Sequence, residues 1–189
     1  MSIDFYNKNA EEFYSGTVNA DMSVTCEKFL GLIKEGGKIL DAGCGSGRDS
    51  LYFMKRGYEV VSIDGSEEMV KMSSELTGQK TLQMRFQDID FVNEFDGVWA
   101  CASLLHVGKS EIGKVLGKIG TAMKDGGIFF ASFKYGEGEV ERDGRVFSNF
   151  TEVSLREVLG GFEVVEVWVT QDVRPGREDE RWVSCLVRK

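Results

Sequence analysis

The chain has 189 residues, of which 42% are hydrophobic and 29% charged, and its formal charge is -8 at pH 7. That length fits one compact domain with a core large enough to need neither disulfides nor a structural metal. An acidic surface repels phosphate backbones, which argues against an extended nucleic-acid footprint.

Residues 2–33 read as two helices placed before the first strand, with Phe5, Tyr6, Phe13 and Tyr14 at helical spacing. Phe5 and Phe13 suit a docking face. Tyr6 and Tyr14 suit either that face or a lid over a ligand, where an aromatic ring attracts a cation. Lys8 and Lys28 read as solvated. A short apolar run, Lys38 to Ala42, predicts a strand, and Arg48 to Arg56 a helix. Glu59 to Ile63 is the next strand. Ser66 is a good N-cap, with Glu67 and Glu68 favouring the positive helix end. Strands follow near Thr81–Phe86, Gly97–Ala102 and Ile128–Phe133, and helices near Lys109–Met123 and Thr151–Leu159. Residues 135–150 lack periodicity and read as an irregular loop at the carboxyl end of the sheet, where loops tend to carry function. Phe162–Val169 and Trp182–Val187 read as strands joined by a turn holding Asp172, Pro175 and Gly176, hence an antiparallel hairpin within residues 162–188. The alternation implies βαβ units on a parallel sheet, doubly wound into a three-layer αβα sandwich, with no linker or repeat along residues 1–189.

Asp41-Ala42-Gly43-Cys44-Gly45-Ser46-Gly47-Arg48-Asp49 sits where a strand turns into a helix. Three glycines permit positive φ and close approach of a ligand to the backbone. The spacing is Gly-x-Gly-x-Gly, not the dinucleotide Gly-x-Gly-x-x-Gly, and no Gly-Lys-Ser/Thr follows. Asp41 and Asp49 flank the loop; they ill suit a pyrophosphate and suit a cationic amino-acid end. Asp64 ends the second strand about 20 residues on, where an acid binds ribose hydroxyls; otherwise it only starts the turn before Ser66.

With these motifs in this order, nearly the whole chain resembles the class I S-adenosylmethionine-dependent methyltransferases. Ile39–Gly47 resembles the first family motif, Val60–Asp64 the second, Phe86–Ile89 the third, Phe95–His106 the fourth, and Lys124–Gly127 the turn before strand five. Ser103–His106 and Ser132–Gly136 are also similar to the small bacterial tellurite-resistance-like methyltransferases. The resemblance implies a Rossmann-like sheet of seven strands, mostly parallel, with an antiparallel last strand. It implies S-adenosylmethionine as cofactor and S-adenosylhomocysteine as product. The implied cofactor residues around the loop are Asp41, Gly43, Gly45, Gly47 and Arg48. Asp64, Gly65 and Met69 follow the second strand; Gln87, Asp88 and Ile89 the third, with Asp88 on the adenine amino group. Cys101 and Leu104 follow the fourth, and Tyr6 and Tyr14 complete the set from the N-terminal helices of residues 1–33.

Methyl transfer is an in-line displacement that rests on alignment, and a base is needed only where the acceptor must lose a proton. His106, the one histidine, is a candidate base; it otherwise orients a loop or touches cofactor. Tyr14 is a second catalytic candidate. His106, Lys134, Arg145, Arg174 and Arg177 are candidate acceptor residues, the arginines suiting an anionic acceptor. Alternatively these arginines pair with Glu137, Glu139, Glu141, Glu178 and Glu180. The acidic chain without a large substrate domain favours a small-molecule acceptor over a protein or RNA. A non-catalytic S-adenosylmethionine-binding module is the remaining alternative.

Cys26, Cys44, Cys101 and Cys185 form no Cys-x-x-Cys pair, so no metal site is expected. Free thiols, the lack of a signal-type run in Met1–Phe13, and the lack of about 20 consecutive apolar residues lead us to expect a cytoplasmic protein with no membrane contact.

Overall fold

Successive residues of the central strands enter two different cores. Leu40, Val98 and Phe129 join one buried cluster, and their neighbours Ile39, Trp99 and Phe130 join another. Period-2 alternation with apolar residues on both faces is the signature of a strand covered on both sides. The computed structural model describes residues 2–189.

Three short helices come first, α1 (Ser2–Lys8), α2 (Ala10–Thr17) and α3 (Ser23–Leu30). Two helices were expected in residues 2–33. Asn9 separates α1 from α2 with φ -118° and ψ 26°, and its side-chain amide bonds the Phe5 carbonyl at 2.8 Å. Then follow β1 (Lys38–Ala42), α4 (Arg48–Lys55), β2 (Glu59–Asp64), α5 (Glu67–Thr77), β3 (Leu82–Gln83), β4 (Phe95–Ala100), α6 (Lys109–Ala122) and β5 (Met123–Lys134). Ser66 caps α5 as expected, accepting from the Met69 N–H at 3.2 Å. The strand expected at Thr81–Phe86 shrinks to two residues, because Phe86–Asp88 winds into a 3₁₀ turn.

The chain closes with β6 (Glu139–Arg142), β7 (Arg145–Ser148), α7 (Glu152–Val158), β8 (Glu163–Gln171) and β9 (Arg181–Arg188). The seven-stranded sheet runs β3-β2-β1-β4-β5-β9-β8. The pairs from β3 to β5 are parallel, and β9 runs antiparallel to both β5 and β8. One core holds α6 residues Ile112, Val115 and Ile119 with Leu155 of α7; the other holds Cys26 and Phe29 of α3 with Phe53 of α4. This is the Rossmann-like three-layer sandwich.

The loop expected at residues 135–150 is a β-hairpin instead. β6 and β7 pair antiparallel as a separate two-stranded sheet, joined through Asp143 (φ 53°) and Gly144 (φ 70°). Two left-handed residues in a two-residue connection match the twist of the flanking strands. No helix among the described residues is long and apolar enough to cross a membrane.

Strand order reverses between β1 and β4, and a crevice opens beyond the carboxyl ends of strands at such a switch point. The glycine loop follows β1 there and residues 101–106 follow β4.

Candidate functional site

All three loop glycines take left-handed φ: 79° at Gly43, 52° at Gly45 and 81° at Gly47. A Cβ on Gly43 would lie 2.5 Å from Ser103 Cβ, and one on Gly47 would lie 2.6 Å from Ser73 Oγ. The Ser103 hydroxyl donates to the Ala42 carbonyl at 2.6 Å, so the loops after β1 and β4 are held together at the point where Gly43 passes. Ala102, beside it, is itself left-handed (φ 51°) and donates its N–H to Ser132 Oγ at 2.8 Å. Backbone strain of this kind, held by fixed partners, gathers at functional sites.

Carboxylates surround the loop. Asp64 accepts from the N–H groups of Gly45 and Ser66, each at 2.9 Å. Its two oxygens offer about four lone-pair sites, so capacity remains. Burial pushes its carboxyl above the usual range. Asp41 is 2% exposed, accepts from the Ser50 hydroxyl at 2.6 Å, and is pushed up to about 7 by burial and by nearby Asp49. Asp49 accepts from Trp99 Nε1 at 2.9 Å and takes a two-pronged contact from Arg48 at 2.7 and 2.8 Å. Arg48 in turn donates to the Thr17 carbonyl at 3.2 Å, tying α2 to the loop.

The N-terminal helices roof one cleft of about 1010 Å³. Tyr6 faces it; its hydroxyl lies 2.7 Å from Nε2 of His106, and Nδ1 of His106 lies 2.8 Å from the Val146 carbonyl on β7. A carbonyl only accepts, so Nδ1 carries the proton and Nε2 accepts from Tyr6. Burial, helped by the Arg145 charge, lowers His106 to about 4, so the ring is neutral at pH 7. Burial raises the Tyr6 phenol.

Asp41, Gly43, Gly45, Arg48, Asp64, Gly65, Met69, Gln87 and Cys101 line the cleft with Tyr6 and His106. Lys134, Arg145, Arg174 and Arg177 line its other end. Four expected residues stand elsewhere. Tyr14 lies beside Met72, Glu75 and Leu76 of α5; one residue from Phe13, it points about 100° round the helix from that cleft-lining side chain. Gly47 is packed against Ser73. Asp88 is exposed and paired with Arg85 at 2.8 Å. Leu104 is buried in the core cluster at 0% exposure. The Ile89 side chain is buried there too, but Ile89 was expected through its backbone N–H, which lies 3.4 Å from the Phe86 carbonyl. Lys28 is exposed, as read, and there pairs with Glu166 at 2.6 Å over the Trp168 ring.

The β6–β7 hairpin forms a wall of the cleft through Arg142, Val146 and Phe147; a functional loop was expected there, and what was missed is its hairpin geometry. Its signal was present: Asp143-Gly144 is a strong hairpin dipeptide. Among the described residues no group of three or more His, Cys, Asp and Glu side chains is placed to hold a metal.

Residues 40–131 match the family model described as "Methyltransferase domain". Over 90 residues the chain is 30% identical to the magnesium-protoporphyrin O-methyltransferase of Rhodobacter capsulatus, covering 45% of this chain and 40% of that one. The chain spans less than half the length of the curated relatives it matches first. The fold superposes on the 1,6-didemethyltoxoflavin-N1-methyltransferase of Burkholderia thailandensis, crystallised with 1,6-didemethyltoxoflavin and S-adenosylhomocysteine. The TM-score is 0.80 and the identity 22%, covering 100% of this chain and 85% of that one. The cyclase SpnF shares the fold too, with a TM-score of 0.78 at 16% identity over 100% and 95% of the two chains. The fold thus hosts more than one reaction, and the domain match carries what the fold alone does not. Nothing in these matches singles out the tellurite-resistance-like group.

Proposed function

From the methyltransferase domain that residues 40–131 carry, we propose that this protein transfers a methyl group from S-adenosylmethionine to a small-molecule acceptor. The observation behind the reading is the cradle: a left-handed glycine loop, kept open where a Cβ on Gly43 would collide, with Asp64 and Asp41 at its rim. The donor set fits the cofactor. Asp64 keeps lone pairs for ribose hydroxyls after its two backbone contacts. Asp41 and Asp49 supply negative charge for a cationic amino-acid end. Phe86 and Gln87 line the wall below β3, while Asp88 would first have to leave Arg85.

S-adenosylmethionine supplies an electrophilic methyl on a sulfonium. The chain supplies alignment and exclusion of water. α1 and α2 cover the cleft, pinned by Arg48 to Thr17 and by the Ser66 hydroxyl to Asn7 Oδ1 at 2.7 Å. Tyr6 and His106 supply a proton path. A proton released by the acceptor passes to the Tyr6 oxygen as the Tyr6 proton moves to Nε2. A ring lowered to about 4 would take that proton only from an acceptor group already made acidic, so His106 would act late.

Two observations support a small acceptor. A cleft of about 1010 Å³ is roofed by the N-terminal helices; small-ligand sites run to roughly 300–1,000 Å³. The Rhodobacter and Burkholderia methyltransferases are also named for small molecules.

Titration with S-adenosylhomocysteine, wild type beside Asp64→Asn, tests the cofactor. Binding weakened by roughly 1.5–3 kcal/mol in the variant is expected, the scale for a hydrogen bond to a charged group. A folded, ligand-free wild type that does not bind overturns the reading. Labelled methyl recovered in RNA or protein, with none in the small-molecule fraction of a cell extract, overturns the small acceptor.

A further inference from the structure

The two ends of the cleft carry opposite charge. Around the glycine loop stand Asp41, Asp49 and Asp64, with Arg48 committed to Asp49. At the other end stand Lys134, Arg142, Arg145, Arg174 and Arg177, in a chain whose net charge is -8. Their carboxylate partners are too few. Asp172 is spent on Arg174, which grips it at 2.9 and 2.6 Å, and it also accepts from Trp182 Nε1 at 3.0 Å. Glu180 serves both Lys134 and Arg177. Glu139 also lines the cleft, but its Oε1 is engaged by the Lys109 N–H at 3.0 Å and the Ser148 hydroxyl at 3.3 Å, and no cation among the described residues pairs with it.

Arg145 is the telling case. Its nearest carboxylate, Asp143, is 3.5 Å from Nη2 and itself largely exposed. Its Nε is buried and meets no acceptor among the described residues. A buried guanidinium N–H without a partner is costly unless something supplies one. The guanidinium carbon lies over the Phe5 ring, 3.7 Å from its centroid, and 5.1 Å from that of Phe147, while Phe147 meets His106 edge-on. The fork is therefore held mainly between two rings, its ion pair being the long, exposed contact to Asp143, with an aromatic floor beside it. Burial, with repulsion from Arg174, Arg177 and Arg142, lowers Lys134 to about 8 while Asp172 works the other way.

We propose that the acceptor is a planar molecule bearing an anionic group, its anion bound by Arg145 and Lys134 and its ring lying against Phe147 and Tyr6. This rests on the methyltransferase reading above and names the substrate class of that same site. Arg145 presents a fork suited to a carboxylate or phosphate, which Lys cannot copy. An anion seated there also lies beside His106 and Tyr6, the groups placed to take the acceptor's proton.

The test uses the whole chain with and without saturating S-adenosylhomocysteine, and probes matched in shape: 4-hydroxybenzoate against 4-hydroxybenzamide, with phenyl phosphate as the other anion. Ligand-observed NMR should show an anion bound about tenfold or more tighter than the amide. Whether carboxylate or phosphate leads tells which anion the site takes. Arg145→Gln should cut that preference below about threefold with S-adenosylhomocysteine affinity unchanged, and Arg145→Lys should keep part of it. Equal binding of acid and amide, no anion bound at about 10 mM, or a preference surviving both Arg145→Gln and Lys134→Gln overturns the proposal. Loss of S-adenosylhomocysteine binding alone speaks against the methyltransferase reading, and the charge preference is still read on the bare protein.

Discussion

The Tyr6 hydroxyl donates to Nε2 of His106 across 2.7 Å, joining the first helix to the loop after β4, residues 100 apart in sequence. Because that bond favours the neutral ring, Tyr6→Phe should raise the His106 midpoint from its value of about 4. His106 is the single histidine, so one imidazole proton signal followed by NMR from pH 3 to pH 8 reads it directly. A wild-type midpoint near 6.5 would contradict the buried, doubly bonded ring.

The same shift makes His106 a source of acid sensitivity. Its folded value of about 4 lies below the unfolded value of about 6.5, so the unfolded chain binds the extra proton between them. Stability from this group is therefore withdrawn as pH falls from about 6.5 to about 4, by roughly 3 kcal/mol in all. Denaturant melts of wild type and His106→Asn should converge as pH falls through that window. Parallel curves would sink the assignment.

Asp41 has the opposite sign. Its folded value of about 7 lies above the unfolded carboxylate, so the native chain holds the proton and its contribution fades as pH rises from about 4 to about 7. Asp41→Asn should lose stability less steeply than wild type across that range. A cationic ligand end beside Asp41 should favour the ionised form, so S-adenosylmethionine binding near pH 6.5 should release protons. Calorimetry in buffers of different ionisation enthalpy counts them.

Gly43→Ala should be far costlier than Gly57→Ala, though both glycines are left-handed, at φ 79° and 84°. Adding a Cβ at either costs about 1–2 kcal/mol in backbone strain. At Gly57 the new atom meets nothing within 4 Å, whereas at Gly43 it strikes Ser103 and Phe86, at 2.5 and 2.9 Å. Overpacking adds about 1–3 kcal/mol. Thermal unfolding of the two variants gives the comparison, and equal losses would mean that the loop yields easily.

Asp143→Ala should loosen the β6–β7 hairpin, since Asp143 holds φ 53° at the turn. Asp143→Gly should be tolerated, because glycine takes that φ without strain. Hydrogen exchange at the amides of residues 139–148 should rise in the alanine variant and not in the glycine variant.

Much of this molecule was legible as sequence because the signals are local. Strands β1, β2, β4 and β5, helices α4 to α7, and the glycine loop follow from apolar runs, helical spacing and glycine punctuation read within ten residues or so. The β6–β7 hairpin was less plain because every β6 residue is exposed, so no apolar alternation marks it, and only Asp143-Gly144 signals the turn. Which tyrosine faces the cleft was not legible at all. Tyr6 and Tyr14 share composition and setting, and Asn9, which breaks the helix between them, decides the turn of each.

The sequence by itself therefore determined the layered α/β architecture, the glycine loop and its acidic flank, since each is written in residues adjacent along the chain. Tertiary structure decided the rest: the neutral tautomer of His106, the five cations gathered at one end of the cleft, and the unanswered Nε of Arg145. The physical reason is that charge balance, burial and hydrogen-bond supply depend on which distant residues meet, and β6–β7, β9 and α1 converge on that site only once the sheet is built.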